Sequence, residues 1–174
     1  MTHAVRIHAP GGPEAMRWES VPTPEPGPGE ALIRHGAVGL NYIDVYFRTG
    51  LYKAPQMPLV VGQEGAGTVL AVGPGVTAVA PGDRVAYAGP LGAYATERTL
   101  PADRLVKLPD AISFETGAAM MLQGMTVQYL LRRTYVVKRP RSSASPTAPW
   151  SRWSTTAWAR TRSAPASTAS RRSG

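Results

Sequence analysis

The sequence predicts a mainly β protein with terminal helices: a small β-barrel, a helical segment after it, and a basic tail without periodicity. Three observations predict it. Short apolar runs punctuated by Gly and Pro recur at roughly 8–12-residue spacing, the pattern of a small barrel or sandwich. A proline-free stretch rich in Ala, Met and Leu follows, from Ser113 to Arg133. Acidic residues then vanish: all eleven lie at or before Glu115, and the last 39 residues, from Val136, hold eight Lys/Arg and none.

The elements follow in order. Met1 to Ile7 alternates apolar and polar residues and reads as a first strand, with no apolar core of a signal peptide. Gly11-Gly12-Pro13 ends it, and Met16 to Val21 supplies the return strand of a hairpin. Pro22 to Gly29, with four prolines in eight residues, is loop. Ala31 to Val38, Thr68 to Val72 and Arg84 to Ala88 read as strands, the last two separated by turns at Gly73-Pro74-Gly75 and Pro81-Gly82-Asp83. Glycines at 62, 65 and 67, inside the strand pattern, predict bulges or close backbone approach. Ser113 to Arg133 is helical and ends in two arginines, favourable at a helix C-terminus. Gly124 interrupts it and predicts two helices or a kink. Met121, Leu122, Met125, Tyr129 and Arg132 share one face, read as core packing.

Charge and composition exclude several functions. Up to Tyr135 the chain has 11 Lys/Arg and 11 Asp/Glu, so the whole formal +8 comes from the tail. The body is neutral, and the overall basicity is no reason to assign it a nucleic-acid or anionic-membrane partner. There is no cysteine, which removes disulfides, thiolate nucleophiles and Cys-containing zinc sites. His3, His8 and His35 are scattered without metal-ligand spacing and read as solvated or hydrogen-bonded side chains. No run approaches the ~20 apolar residues that span a bilayer. A soluble, cytoplasmic protein is the expectation.

The constellation Gly39-Leu40-Asn41-Tyr42-Ile43-Asp44-Val45-Tyr46, Arg48-Thr49-Gly50-Leu51-Tyr52, Gly62-Gln63-Glu64-Gly65-Ala66-Gly67, Gly82-Asp83-Arg84-Val85 and Met121-Leu122-Gln123-Gly124-Met125-Thr126 carries a family resemblance. Its order and spacing closely resemble the quinone oxidoreductase (zeta-crystallin-like) branch of the medium-chain dehydrogenase/reductase superfamily, from about Ala4 to Tyr135. The resemblance implies a GroES-like β-barrel, as in the N-terminal domain of alcohol dehydrogenases, packed in full-length members against a Rossmann domain. It implies residues 1–112 as the GroES-like catalytic domain and 113–135 as the helical start of the connection to the cofactor domain. NADPH and a quinone would share the cleft, the cofactor delivering a hydride. Zinc-dependent relatives use a Cys near the position of Asn41 and a His at that of Gln63; this chain has neither, so no catalytic zinc is expected.

Residue roles follow from the same resemblance. The loop Asn41, Tyr42, Ile43, Asp44, Val45, Tyr46 is expected to line the nicotinamide side, and Tyr129 to contact the cofactor. Tyr46 and Tyr52 are the candidate proton donors or orienters for the reduced quinone, with ordinary packing as the alternative. Glu64, without a zinc to serve, is expected to make a structural hydrogen bond, and Asp83-Arg84 a turn with a structural ion pair. Homodimers of full-length relatives form largely through the Rossmann domain. Reduction of an activated alkene is an alternative reaction within the same scaffold.

The tail, 136–174, lacks the Gly-rich turn that a Rossmann domain places at a helix N-terminus to cradle phosphates; no glycine occurs between Gly124 and Gly174. The isolated polypeptide is therefore expected to be truncated and inactive. Ser/Thr/Ala/Arg/Pro richness without periodicity is a disorder signature. Read one frame over, codons for Trp153 to Ser163 are compatible with V-V-Y-D-G-V-G-A-D-T-F, which resembles a Rossmann segment of the same enzymes, and the tail is expected to be out-of-frame translation. A basic tail with three Trp that stacks on single-stranded nucleic acid is the competing reading.

Overall fold

A computed structural model describes residues 1–135, and the expectations for 136–174 lie outside the described residues. Two antiparallel sheets carry the chain. The first has strand order β2-β1-β4, from β1 (Thr2–Ile7), β2 (Met16–Val21) and β4 (Leu59–Val60). The second has order β7-β3-β5-β6-β8, from β3 (Glu30–Val38), β5 (Glu64–Val72), β6 (Arg84–Ala88), β7 (Glu97–Pro101) and β8 (Val106–Lys107). A bridge between Ala4 and Ala95, with the Val5 N–H on the Tyr94 carbonyl at 2.8 Å, ties the sheets along one side. The architecture is the mainly β, GroES-like barrel that the sequence predicts; of its two helices, the one after the barrel was expected.

The hairpin β1–β2 runs in unbroken register from Thr2↔Val21 to Ile7↔Met16. Strand β5 starts four residues earlier than its apolar run suggests, because Gly65 and Gly67 lie inside the ladder. At Gly67 a Cβ would run into the Arg34 carbonyl of β3, so the two backbones meet where only glycine fits. The β3–β5 register shifts between His35 and Ala37, the bulge that such glycines forecast. The main core fills the larger sheet with Ile33, Val69, Val85, Tyr87 and Leu100, each at most 1% exposed. Full burial of such a side chain is worth roughly 1.5–3 kcal/mol.

Two helices flank the barrel. Helix α1, Tyr42–Thr49, occupies the stretch expected to be a loop. Its start and stop are both encoded: the Asp44 carboxylate reaches back to the Asn41 N–H at 3.0 Å, and Gly50 ends it at φ 81°. Phe47 seats it on Ile7, Leu59 and Val61. Helix α2, Phe114–Tyr129, begins at Ser113, whose Oγ accepts the Thr116 N–H at 3.2 Å. It is one helix through Gly124, not the two helices given as one expectation; an exposed glycine lowers helix stability by only about 1 kcal/mol. The irregularity comes later, as one π-helical turn at Leu130–Thr134. Only the first half of α2 packs on the barrel: Gly117 and Ala118 are buried and Met121 lies against the Ala66–Ala86–Leu108 cluster. Met125 (49% exposed) and Tyr129 (57%) are open, so the apolar face expected to be core is core only up to about Leu122.

The Asp83-Arg84 pair also separates. Asp83 binds Lys107 at 2.8 Å, and Arg84 pairs with Asp110 at 3.6 Å, donates to the Pro109 and Ile112 carbonyls and lies over the Phe114 ring. Arg84 thereby locks the turn before α2 onto β6.

Candidate active site

The residues expected to face the cofactor gather at the cap and body of α1. Asn41 is the N-cap at 9% exposure, and its Nδ2 donates to Glu64 Oε1 at 2.6 Å. Glu64, 1% exposed at the start of β5, accepts the Leu122 N–H of α2 on its other oxygen at 2.7 Å. The structural hydrogen bond expected of Glu64 is thus a pair. Gly39 makes room for it, since a Cβ there would overlap the Glu64 carboxylate.

Asp44 is buried under the helix rather than presented to solvent. Its Oδ2 accepts from the Asn41 N–H and from the Tyr94 hydroxyl at 2.9 Å. Burial and the Asp44 carboxylate push the Tyr94 phenol upward, which keeps it a donor at neutral pH. Asp44 Oδ1 and Arg48 Nε have no partner among the described residues; both residues line a ≈80 Å³ cavity with Met16, Leu40 and Tyr94.

Helical spacing puts Tyr42 and Tyr46 on one side of α1, their rings edge-on at 5.3 Å. The chain then returns through Gly50, and Tyr52 stands 5.2 Å from Tyr46 and 5.6 Å from Phe47. The Tyr52 N–H donates to the Tyr46 carbonyl at 3.0 Å, which fixes the return. Tyr42 is 73% exposed and Tyr52 45%, so phenol groups are open to a ligand. A groove of ≈350 Å³ runs beside Tyr52, walled by Pro10, Phe47, Ala54 and Met57 with Lys53 and Gln56. Ile43 and Val45 are partly buried. The structure therefore brings Tyr42, Tyr46 and Tyr52 together, holds Asn41 as the buried N-cap of α1 bonded to Asp44 and Glu64, and leaves Tyr129 on the exposed end of α2, outside the aromatic cluster.

A larger groove of ≈430 Å³ lies on the other side of Leu40, between Trp18, Val38 and Tyr94. Its one titratable wall residue with a resolved partner on both ring nitrogens is His35. Because a carbonyl only accepts, His35 Nδ1 carries the proton toward Ala95 O at 2.6 Å, and Nε2 accepts from the Tyr87 hydroxyl at 2.8 Å. Both nitrogens are committed, so no proton-transfer role is assigned to it. Among the described residues no group of three or more His, Asp or Glu is placed to hold a metal ion. No described helix is long and apolar enough to cross a membrane.

The sequence reading missed Tyr94 and the Glu64–Leu122 contact. Tyr94 follows a glycine-rich loop and carries no local signature. A glycine at 39 and a lone acid in an apolar strand were the only hints of the second.

Comparison with known proteins agrees with this geometry. Residues 27–110 match the alcohol dehydrogenase GroES-like domain. Over 139 residues the chain is 52% identical to a quinone oxidoreductase of Pseudomonas aeruginosa, covering 79% of this chain and 43% of that protein. A 2-haloacrylate reductase of Burkholderia sp. is 44% identical over 144 residues, again 79% of this chain and 43% of its own. The solved structure of Escherichia coli quinone oxidoreductase complexed with NADPH superposes with a TM-score of 0.77 at 44% identity, over 78% of this chain and 42% of that one. The fold is that of an alcohol dehydrogenase GroES-like domain. Through this N-terminal part the chain is similar to quinone oxidoreductases of the medium-chain dehydrogenase/reductase superfamily. It spans less than half the length of the relatives it matches.

Proposed function

We propose that residues 1–112 form the catalytic domain of an NADPH-dependent quinone reductase, with 113–135 leading into the cofactor-binding part. The observation that carries this reading is the cluster of Tyr42, Tyr46 and Tyr52 along α1 and its return, with Tyr42 and Tyr52 exposed and Tyr52 lining an apolar groove. Exposed aromatic faces suit a flat quinone, and phenol hydroxyls can donate to its oxygens. NADPH, when bound, supplies the hydride. Asn41 and Tyr42 to Tyr46 would border its nicotinamide, with Tyr129 as a further contact from α2. Tyr46 or Tyr52 would hold the quinone oxygen and return a proton as it becomes a hydroxyl.

The residues fit one wall of such a site. The described residues, 1–135, supply the barrel side of such a cleft. The test of the reading is therefore binding. Titration of the full chain with 2-methyl-1,4-naphthoquinone should shift the ring resonances of Tyr46 and Tyr52, and Tyr52→Ala should weaken that response several-fold. A lack of cysteine removes thiol addition to the quinone as a complication. Shifts confined to residues far from α1 would refute the assignment. Reduction of an activated alkene is the second reading, favoured by the similarity to a 2-haloacrylate reductase; a saturation-resistant enone analogue competing with the quinone at Tyr46 would support it.

A further inference from the structure

We propose that Glu64 is a positioning residue that sets the orientation of the Asn41 amide and couples it to helix α2. The proposal rests on the reading of Asn41 as a cofactor contact. Both groups that meet Glu64 are N–H donors: Asn41 Nδ2 at 2.6 Å and the Leu122 N–H at 2.7 Å. Both oxygens of the carboxyl therefore act as acceptors, and Asn41 must turn its nitrogen, not its oxygen, toward β5. The capping box, in which the Asn41 side-chain oxygen faces the Asp44 N–H, favours the same orientation. Glu64 reinforces it from the nitrogen side.

The second contact extends the effect. Leu122 sits where α2 stops packing on the barrel, seven residues before Tyr129. One carboxyl thus holds the cap of α1 and the point from which the rest of α2 projects. On the opposite side Asp44 fixes the Asn41 N–H, and Tyr94 fixes Asp44. Asn41 is held through both its main chain and its side chain, as a ligand-facing group requires if it is to be ready before the ligand arrives. Glu64 touches no proposed ligand itself, and its action is through Asn41.

The test uses the full chain. In Glu64→Gln the side chain has one acceptor oxygen for two donors, and its own amide hydrogens face one of them. The expected result is that exchange of the Leu122 amide, or of the Asn41 side-chain NH₂, accelerates by about tenfold or more, with the Asn41 NH₂ resonances displaced. The double variant N41D/E64Q exchanges donor and acceptor: the introduced amide donates to position 41 and accepts from Leu122. Leu122 protection should return to within about threefold of wild type. Should E64Q fail to fold, recovery of the fold in N41D/E64Q supports the proposal and its failure to recover overturns it. A folded E64Q with unchanged Asn41 and Leu122 signals also overturns it, since the carboxylate would then hold neither donor. Reduced nicotinamide mononucleotide is then added to the wild type as probe. Shifts at Asn41 that weaken at least about fivefold in E64Q support the positioning role. No shift at all in wild type, with the exchange results as expected, sinks the cofactor reading of Asn41 and leaves the coupling through Glu64 standing.

Discussion

Lowering the pH from 7 to 4 should cost the barrel a specific increment of stability through His35. The ring is committed at both nitrogens, to Ala95 O at 2.6 Å and to Tyr87 at 2.8 Å, in a tautomer that exists only while it is neutral. Burial is the main cause that holds its pKa down to about 4, with the Arg98 charge adding to it against the pull of the Ala95 carbonyl. In the unfolded chain the ring binds its proton near 6.5. The unfolded state therefore takes up a proton first as pH falls. The stabilisation is fully present above 6.5 and is lost progressively between 6.5 and about 4. At about 1.4 kcal/mol per pH unit that interval amounts to about 3 kcal/mol, an upper figure because the ring is not wholly buried. Urea unfolding followed by circular dichroism at pH 7 and pH 4 measures it, with His35→Gln as the control that keeps every other titrating group. The wild type should lose about 2–3 kcal/mol more than the variant. Parallel losses in the two proteins would refute the assignment of a neutral, doubly bonded His35.

Other perturbations test other parts of the fold. Gly67→Ala, which drives a methyl into the Arg34 carbonyl, should lower stability by about 2–3 kcal/mol in thermal or urea unfolding, whereas Gly124→Ala, with open space around it, should raise it by about 1 kcal/mol. Ser113→Ala removes the cap of α2 and should cost about 1 kcal/mol, read as reduced helicity and faster exchange of the Thr116 amide. Tyr94→Phe leaves Asp44 Oδ2 with one donor in place of two and should cost about 1–3 kcal/mol in urea unfolding. Lys107→Ala breaks an exposed ion pair with Asp83 and should leave the urea-unfolding midpoint nearly unchanged, with any small difference gone at about 1 M salt.

Most of the barrel was legible because glycine and proline mark its turns. Strands β1, β2, β3 and β6 fall where the punctuation puts them, and Gly65 and Gly67 announced the close approach of β3 and β5. Strand β7 was not legible: Glu97-Arg98-Thr99-Leu100-Pro101 is short, charged and ends in proline, and it is a strand because β3 offers it an edge. Helix α1 is not legible from propensity: Tyr42, Ile43, Val45, Tyr46 and Phe47 are β-branched or aromatic and favour strands, and the Asn41–Asp44 box and Gly50 override that preference. Of the site, the tyrosines were visible as a local motif, since helical spacing and one tight return bring them together. The support beneath them was not. Glu64 stands 23 positions from Asn41 and 58 from Leu122, and hydrogen bonds across such separations leave no periodic trace.

The space at Gly39 has an evolutionary consequence. The Glu64 carboxylate occupies the volume that any side chain at position 39 would need. A lineage that replaces this glycine must first shorten or remove the acid, and one that loses the acid frees the glycine to drift. Positions 39 and 64 should therefore mutate as a couple among descendants of this sequence, with the acid lost first, because the reverse order puts a Cβ into the Glu64 carboxylate.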